Sequence, residues 1–167
     1  MCCNKTLVGQ DSGNFTSLRY PSVYPSNIMC NWEITVAQGK RISLLFDVVN
    51  IEEYADPLND FVAVFDGPGC ASSVVGLFAG YERKQFLSTS NSISVMFNTD
   101  NSHTGHVGFR AKYVAGNTKA KGFVSKLTKK EQLKTPRSGL CCTCQPKHTL
   151  GPPYLSVLVL YASQRWV

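Results

Sequence analysis

From residue 13 onward the chain reads as short apolar runs of β type cut apart by turn residues, and no stretch carries the sustained spacing of a long amphipathic helix. Candidate strands are Asn14 to Ser17, Asn31 to Val36, Arg41 to Val49, Phe61 to Phe65, Val74 to Phe78, Ser92 to Phe97 and Gly108 to Val114. Turns fall at Ala37-Gln38-Gly39, at Asp66-Gly67-Pro68-Gly69 and between Asn98 and Gly105, where Gly, Pro, Asn and Asp supply the backbone conformations that reversals need. Regular spacing of such runs predicts an all-β chain folded as an antiparallel β-sandwich. Alternation with period two puts Trp32, Ile34 and Val36 on one face of their strand and Ile42, Leu44 and Phe46 on one face of the next. Phe61, Ala63 and Phe65 face opposite to Val62 and Val64. Burial is worth roughly 1.5–3 kcal/mol per large side chain, so about a dozen such residues make a core without help from the rest of the chain.

After Val114 the texture changes to Gly116-Asn117-Thr118-Lys119-Ala120-Lys121 and then a Lys-rich stretch to Arg137. The expected organisation is therefore one domain over residues 3–115 and a basic, weakly ordered tail over 116–167. Charge follows the same division: residues 1–115 hold 8 Lys/Arg against 10 Asp/Glu, and residues 116–167 hold 9 against 1. Such a tail attracts polyanions without specificity, and no nucleic-acid motif accompanies it, so no nucleic-acid partner is expected. Lys126 to Lys134 could form a short helix but has no apolar stripe. Tyr154 to Ala162 is the one later apolar run, and as a helix it is too short to cross a bilayer core of about 30 Å, so no membrane span is expected.

Seven cysteines, Cys2, Cys3, Cys30, Cys70, Cys141, Cys142 and Cys144, cannot all pair within one chain. Two glycosylation sequons, Asn4-Lys5-Thr6 and Asn14-Phe15-Thr16, lie beside the N-terminal cysteines, and together they favour an extracellular, secreted setting. Met1 is followed directly by Cys2 and Cys3 with neither a basic start nor an apolar run, so the chain is expected to be a fragment of a longer precursor or to lack its true start.

Candidate chemistry sits at the ends of the apolar runs. Glu52 closes the run Ile42 to Ile51, Asp60 precedes the run Phe61 to Phe65, and Asp100 with Ser102 lies just beyond Ile93 to Phe97. Calcium takes about six to eight oxygens from carboxylates, carbonyls and water in irregular geometry, which loop ends of a sandwich can supply. Taken one by one, the same carboxylates are ordinary solvated residues beside strands.

The order of several short motifs resembles a CUB domain, the extracellular β-sandwich module of complement proteases, astacin-type metalloproteases, endocytic receptors and spermadhesins. The motifs are Gly13-Asn14-Phe15-Thr16-Ser17, Tyr20-Pro21-Ser22-Val23-Tyr24-Pro25, Cys30-Asn31-Trp32, Asp60-Phe61-Val62-Ala63-Val64-Phe65-Asp66-Gly67, Ser94-Val95-Met96-Phe97 with Asn98-Thr99-Asp100, and Gly108-Phe109-Arg110-Ala111-Lys112-Tyr113. The resemblance covers about residues 3–115 and implies a jelly-roll, CUB-like sandwich. In calcium-binding members the site is built from a tyrosine in the second Tyr-Pro pair, a glutamate before an aspartate, and an aspartate with a following polar residue near the last strand. Tyr24, Glu52, Asp60, Asp100 and Ser102 match those positions, with Tyr24 orienting the carboxylates and Asn101 able to add a carbonyl; Glu53 and Asp56 match no role.

The resemblance further implies a disulfide of Cys30 with Cys3 or Cys2, whereas Pro57 and Ala79 occupy the positions expected for a second one. The loop from Glu52 to Asp60 is accordingly expected to be looser than in two-disulfide relatives. Cys70 matches no family role; a solvent-facing thiol and pairing with the spare N-terminal cysteine both stay open. The implied function is calcium-dependent binding of an extracellular protein through its Lys or Arg side chains. A spermadhesin-like adhesion module that takes glycans and the regulatory piece of a modular protease are the alternatives.

Other chemistry finds little support. Gly9-Gln10-Asp11-Ser12-Gly13 looks superficially like the setting of a serine nucleophile, but no histidine precedes it to act as base. Glu52 and Asp60 as glycosidase carboxylates lack a recognisable aromatic platform. His103 and His106 read as exposed loop residues, and Cys141-Cys142-Thr143-Cys144 with His148 matches no zinc spacing. The expectation is a module without a catalytic centre.

Overall fold

The computed structural model describes residues 1–53, 59–102 and 105–117. Nine strands form: β1 (Cys2–Val8), β2 (Ser12–Thr16), β3 (Met29–Thr35), β4 (Lys40–Asn50), β5 (Phe61–Asp66), β6 (Ser73–Phe78), β7 (Lys84–Leu87), β8 (Ser92–Asn98) and β9 (Gly108–Asn117). They make a five-stranded sheet, β1-β3-β8-β5-β6, and a four-stranded sheet, β2-β9-β4-β7. All seven expected strands are present. The expected boundary near residue 116 falls inside β9, where Arg41 pairs with Gly116 and Lys40 with Asn117. The short helix considered for Lys126 to Lys134, and the cysteines and histidine after residue 140, lie outside the described residues.

Two strands were not foreseen. β1 carries mostly exposed side chains and sends only Cys3 and Leu7 toward the core, and β7 is four residues long with one inward ring, Phe86. β1 also runs parallel to β3, so the sandwich is not antiparallel throughout. That register decides a question left open by sequence. Cys3 lies opposite Cys30 with Leu7 opposite Ile34, whereas Cys2 lies opposite the outward-facing Met29; the disulfide is Cys3–Cys30, and Cys2 is exposed.

The core is the sum of the alternations. Trp32, Ile34 and Val36 face Ile42, Leu44 and Phe46 across the sandwich, joined by Val62, Val64, Ile93, Val95, Phe97, Phe109 and Tyr113. Rings of Phe15, Phe46, Phe97 and Phe109 meet edge to face at 5.2–6.4 Å, the packing that aromatic quadrupoles favour. On the outer face of the four-stranded sheet Asp47 accepts two hydrogen bonds from Arg110, at 3.0 and 3.1 Å, with Lys112 at 3.6 Å. That pairing, Arg110 foremost, holds the Asp47 carboxyl below its usual range.

β7 owes its place to a missing side chain. Gly76 of β6 faces inward opposite Val64, and a Cβ there would stand 2.3 Å from the Phe86 ring. Gly76→Ala is expected to displace Phe86 and lower stability by about 1–3 kcal/mol, the usual range for overpacking a closed core. Urea unfolding of the variant against the parent measures it, with β7 amides the first to lose protection from hydrogen exchange.

Candidate metal centre

One end of the sandwich is sewn together by main-chain and side-chain polar groups. Thr99, buried, receives a hydrogen bond on Oγ1 from Ile28 N and donates to Pro25 O, both at 3.0 Å, while Thr99 N donates to Ile28 O. Asn27, held at a φ of 57°, donates its N–H to Asp100 O, and Ser26 Oγ donates to Ser102 O. The segment that carries Tyr24 is thereby fixed against the loop that carries Asp100. Sequence reasoning singled out neither Thr99 nor Asn27; an Asn at a left-handed turn position was the signal available for the second.

On this frame the carboxylates of Glu52, Asp60 and Asp100 converge, each with a ligand oxygen within 4.8 Å of the others. Glu52 (8% exposed) and Asp60 (4%) are buried, and Asp100 is half-buried. Tyr24 OH donates to Asp60 Oδ2 at 2.6 Å and accepts from Glu52 N at 3.2 Å. Asp100 N donates to Asp60 Oδ1 at 2.8 Å. Ser102 N donates to Asp100 Oδ1 at 2.7 Å, and Ser102 Oγ lies 2.6 Å from that oxygen and 2.9 Å from Glu52 Oε2. Tyr24, Glu52, Asp60, Asp100 and Ser102 are thus one cluster, with Asn101 exposed on the same loop.

Neighbouring expectations resolve differently. His106 belongs to the scaffold: its Nδ1 lies 2.7 Å from Asn50 Oδ1 and its carbonyl accepts from Tyr24 N. His103, Asp56 and Pro57 lie outside the described residues. Where a second disulfide would tie the loop, Ile51 and Gly80 exchange two backbone hydrogen bonds of 3.0 Å, so Glu52 follows directly from an anchored residue. Cys70 is half-buried against an apolar cluster on the outer face of the five-stranded sheet, which does not fit a fully solvent-facing thiol. Asn4 on β1 and Asn14 on β2 are exposed, both on edge strands.

The donor set consists of hard oxygens. Their span suits a large hard cation: two oxygens at about 2.3–2.6 Å on either side of one calcium ion stand up to about 5 Å apart. Three carboxylates this close also repel one another, at about 3–4 kcal/mol per ionised pair in an effective dielectric of roughly 20. Burial, first, raises the pKa of Asp60; the hydrogen bonds from Tyr24 and Asp100 N work against it, and the charges of Asp100 and Glu52 add to it.

A two-layer β-sandwich with a polar, acidic rim of this construction is the architecture of a CUB domain. Residues 3–113 match the CUB domain family, and the chain belongs to it. Over 100 residues it is 31% identical to human cubilin, a stretch that is 59% of this chain and 3% of cubilin. Among solved structures it resembles the MASP-1 CUB2 domain bound to Ca2+, with 30% identity and a TM-score of 0.59 over 67% of this chain and 99% of that domain. It also resembles part of the full extracellular region of zebrafish Gpr126/Adgrg6, with 30% identity and a TM-score of 0.60 over 70% of this chain and 15% of that one.

The raised pKa of Asp60 has a definite sign for the metal-free chain. Folding binds a proton more tightly than the unfolded state does, so the ionised carboxylate weakens the fold. The disadvantage is absent below the ordinary carboxylate pKa and fully developed once pH has risen past the raised one. Tyr24→Phe removes the donor to Asp60 and is expected to raise that pKa further. It should also cost about 1–3 kcal/mol at neutral pH in chelator, the range for a buried acceptor left short of a donor. Carboxyl NMR titration and urea unfolding provide the two readouts.

Proposed function

We propose that this module holds a calcium ion through the carboxylates of Glu52, Asp60 and Asp100, with the Ser102 hydroxyl and the Asn101 carbonyl completing the set, and that the loaded rim takes a Lys or Arg side chain of an extracellular protein partner. The carrying observation is the convergence of three carboxylates from three separate parts of the chain, held in place by Tyr24 and main-chain N–H groups. Likeness to a CUB domain solved with Ca2+ supports the choice of ion. When bound, calcium supplies the positive charge that offsets the mutual repulsion of the carboxylates.

The protein's own groups do the rest. Tyr24 keeps Asp60 oriented, the Ile51–Gly80 pairing fixes the root of Glu52, and Ser102 bridges Glu52 and Asp100. Three carboxylates against one divalent ion leave the rim net negative, and Asp100, Asn101 and Ser102 lie at least partly open to solvent. A cationic side chain reaching that rim would gain a charge-assisted hydrogen bond worth roughly 1.5–3 kcal/mol, weakened by salt. The module acts by binding, not by catalysis. An extracellular setting is supported by the family, by the Cys3–Cys30 disulfide and by the exposed sequon residues Asn4 and Asn14. Because the chain spans 3% of cubilin, what a whole parent protein does lies beyond this reading.

Thermal unfolding of the purified chain tests it. At a free calcium concentration about ten times the dissociation constant, linkage stabilises the folded state by about 1.4 kcal/mol, and chelator removes the gain. The gain should shrink on acidification as protons compete for the carboxylates. Asp100→Ala is expected to abolish the calcium response with the sandwich intact; an unchanged midpoint for the parent chain with and without calcium would count decisively against the site.

A further inference from the structure

β1 is the open edge of the five-stranded sheet, and β3 is its one partner among the described strands. Its alternation sends Cys3 and Leu7 toward the core and leaves Asn4 and Thr6 on the outer face, where the parallel register sets Asn4 beside Asn31 and Thr6 beside Glu33. These four residues line one side of a cleft of about 300 Å³, and Phe65 and Cys70 line the far side. Asn4 and Thr6 are also the two defining residues of the sequon Asn4-Lys5-Thr6.

The polar groups of this cleft are oriented but not all used. Asn31 Nδ2 donates to Asn4 Oδ1 at 3.0 Å, which turns the Asn4 Nδ2 away from Asn31. Among the described residues nothing is hydrogen-bonded to that nitrogen, the atom that carries an N-linked sugar. Glu33 is half-buried, and among the described residues its carboxylate has neither an ion pair nor a hydrogen bond. An acceptor of that kind calls for hydroxyl or N–H donors. Glu33 lies two residues along β3 from Asn31, about 7 Å, a span that one pyranose ring with its hydroxyls bridges. The cleft is at the lower end of the size range of ligand sites, which suits one sugar residue and not a chain of them.

We propose that Asn4 is N-glycosylated and that the first N-acetylhexosamine of its glycan is seated in this cleft, its hydroxyls on Glu33 and Asn31 Oδ1 and its C–H face toward Phe65 and Cys70. Transfer from a lipid-linked oligosaccharide diphosphate forms the bond from Nδ2 to the sugar's C1, breaks the bond from that carbon to the diphosphate oxygen, and releases one amide proton with the diphosphate. The bond from Asn31 survives, because the modified amide keeps its carbonyl oxygen. The inference rests on the extracellular reading, which supplies the compartment where such a donor is met, and not on calcium. Its consequence concerns the edge. β1 presents unpaired backbone groups along its outer side, a template for pairing with another chain, and a hydrophilic glycan at Asn4 obstructs that approach.

The full chain, secreted from cultured animal cells, tests this in two stages. Glycopeptide mass spectrometry is expected to find N-acetylhexosamine on Asn4 and to lose it in Asn4→Gln. Asn14 occupied with Asn4 bare would overturn the proposal and leave the extracellular reading standing, whereas both sites bare would overturn the two together. After an endoglycosidase has trimmed the glycan to a single N-acetylglucosamine, amides of β1 and β3 are expected to exchange roughly two- to tenfold more slowly than in the Asn4→Gln chain, the worth of one net hydrogen bond. Glu33→Ala should remove that protection from the glycosylated chain and leave exchange in the Asn4→Gln chain unchanged, which separates a sugar contact from a general loss of stability. Nuclear Overhauser contacts are expected from the acetamido methyl to protons of Asn31 or Cys70. A glycosylated chain that exchanges as fast as Asn4→Gln and lacks those contacts would overturn the seating.

Discussion

Asp60 is the group on which the rim depends. It stands at the entrance to β5, buried, with one oxygen accepting from Tyr24 OH and the other from Asp100 N. Those two bonds tie three stretches of chain that are remote in sequence, and Tyr24 extends the tie to Glu52 N. A buried carboxylate without such partners would simply stay protonated. Here the hydrogen bonds oppose the burial that raises its pKa, and so help to keep a charge where solvation alone would not. The same bonds leave the acidic side chains facing one another, an arrangement that is unfavourable in isolation and that a bound cation would relieve.

Much of this was legible in the sequence because sheet periodicity and family motifs report on different things. Period-two alternation identified the strands that contribute several inward side chains, such as Trp32, Ile34 and Val36, and even separated Val62 and Val64 from Phe61, Ala63 and Phe65. It failed on β1 and β7 because an edge strand with one or two inward residues has no period to detect. Parallel pairing of β1 was equally hidden, since the chain returns to β3 after a long excursion and nothing local encodes direction. Tyr24, Glu52, Asp60, Asp100 and Ser102 came from motif order, and their convergence is a property of the fold that spacing alone could not give. The Thr99 and Asn27 bonds that hold the loop were out of reach, because each is a choice among turn geometries made by the tertiary contacts themselves.

Absence of a second disulfide predicted a loose loop next to Glu52. The backbone exchange between Ile51 and Gly80 answers part of that concern by a different route. A disulfide acts chiefly by restricting the unfolded chain, whereas an antiparallel backbone pair acts only in the folded one. The consequence is a rim whose order relies on the integrity of the sandwich. Ile51 directly follows β4, which pairs along its length with β9, and β9 begins beside the Ser17 and Tyr24 segment. Positioning of Glu52 is therefore coupled to the longest pairing among the described strands.

The two outer faces extend the same reasoning to the whole module. A solvated face tolerates Asp47 between Arg110 and Lys112 because water screens what pairing does not satisfy. A face with Phe61, Ala63, Phe65 and Met96 has no such latitude: left bare it would form a contiguous apolar patch next to the edge strand β6, the combination most prone to self-association. One sheet thus presents chemistry that water can handle, and the other keeps its apolar outer residues out of water, packed with Met29, Cys70, Val74 and Leu77. The acidic rim and this face meet on one strand, since Asp60 stands immediately before β5, which carries Phe61, Ala63 and Phe65. Whatever fixes the outer side of β5 also fixes the position from which Asp60 is presented, so the packing of the outer face and the geometry of the carboxylate cluster are mechanically linked through one strand.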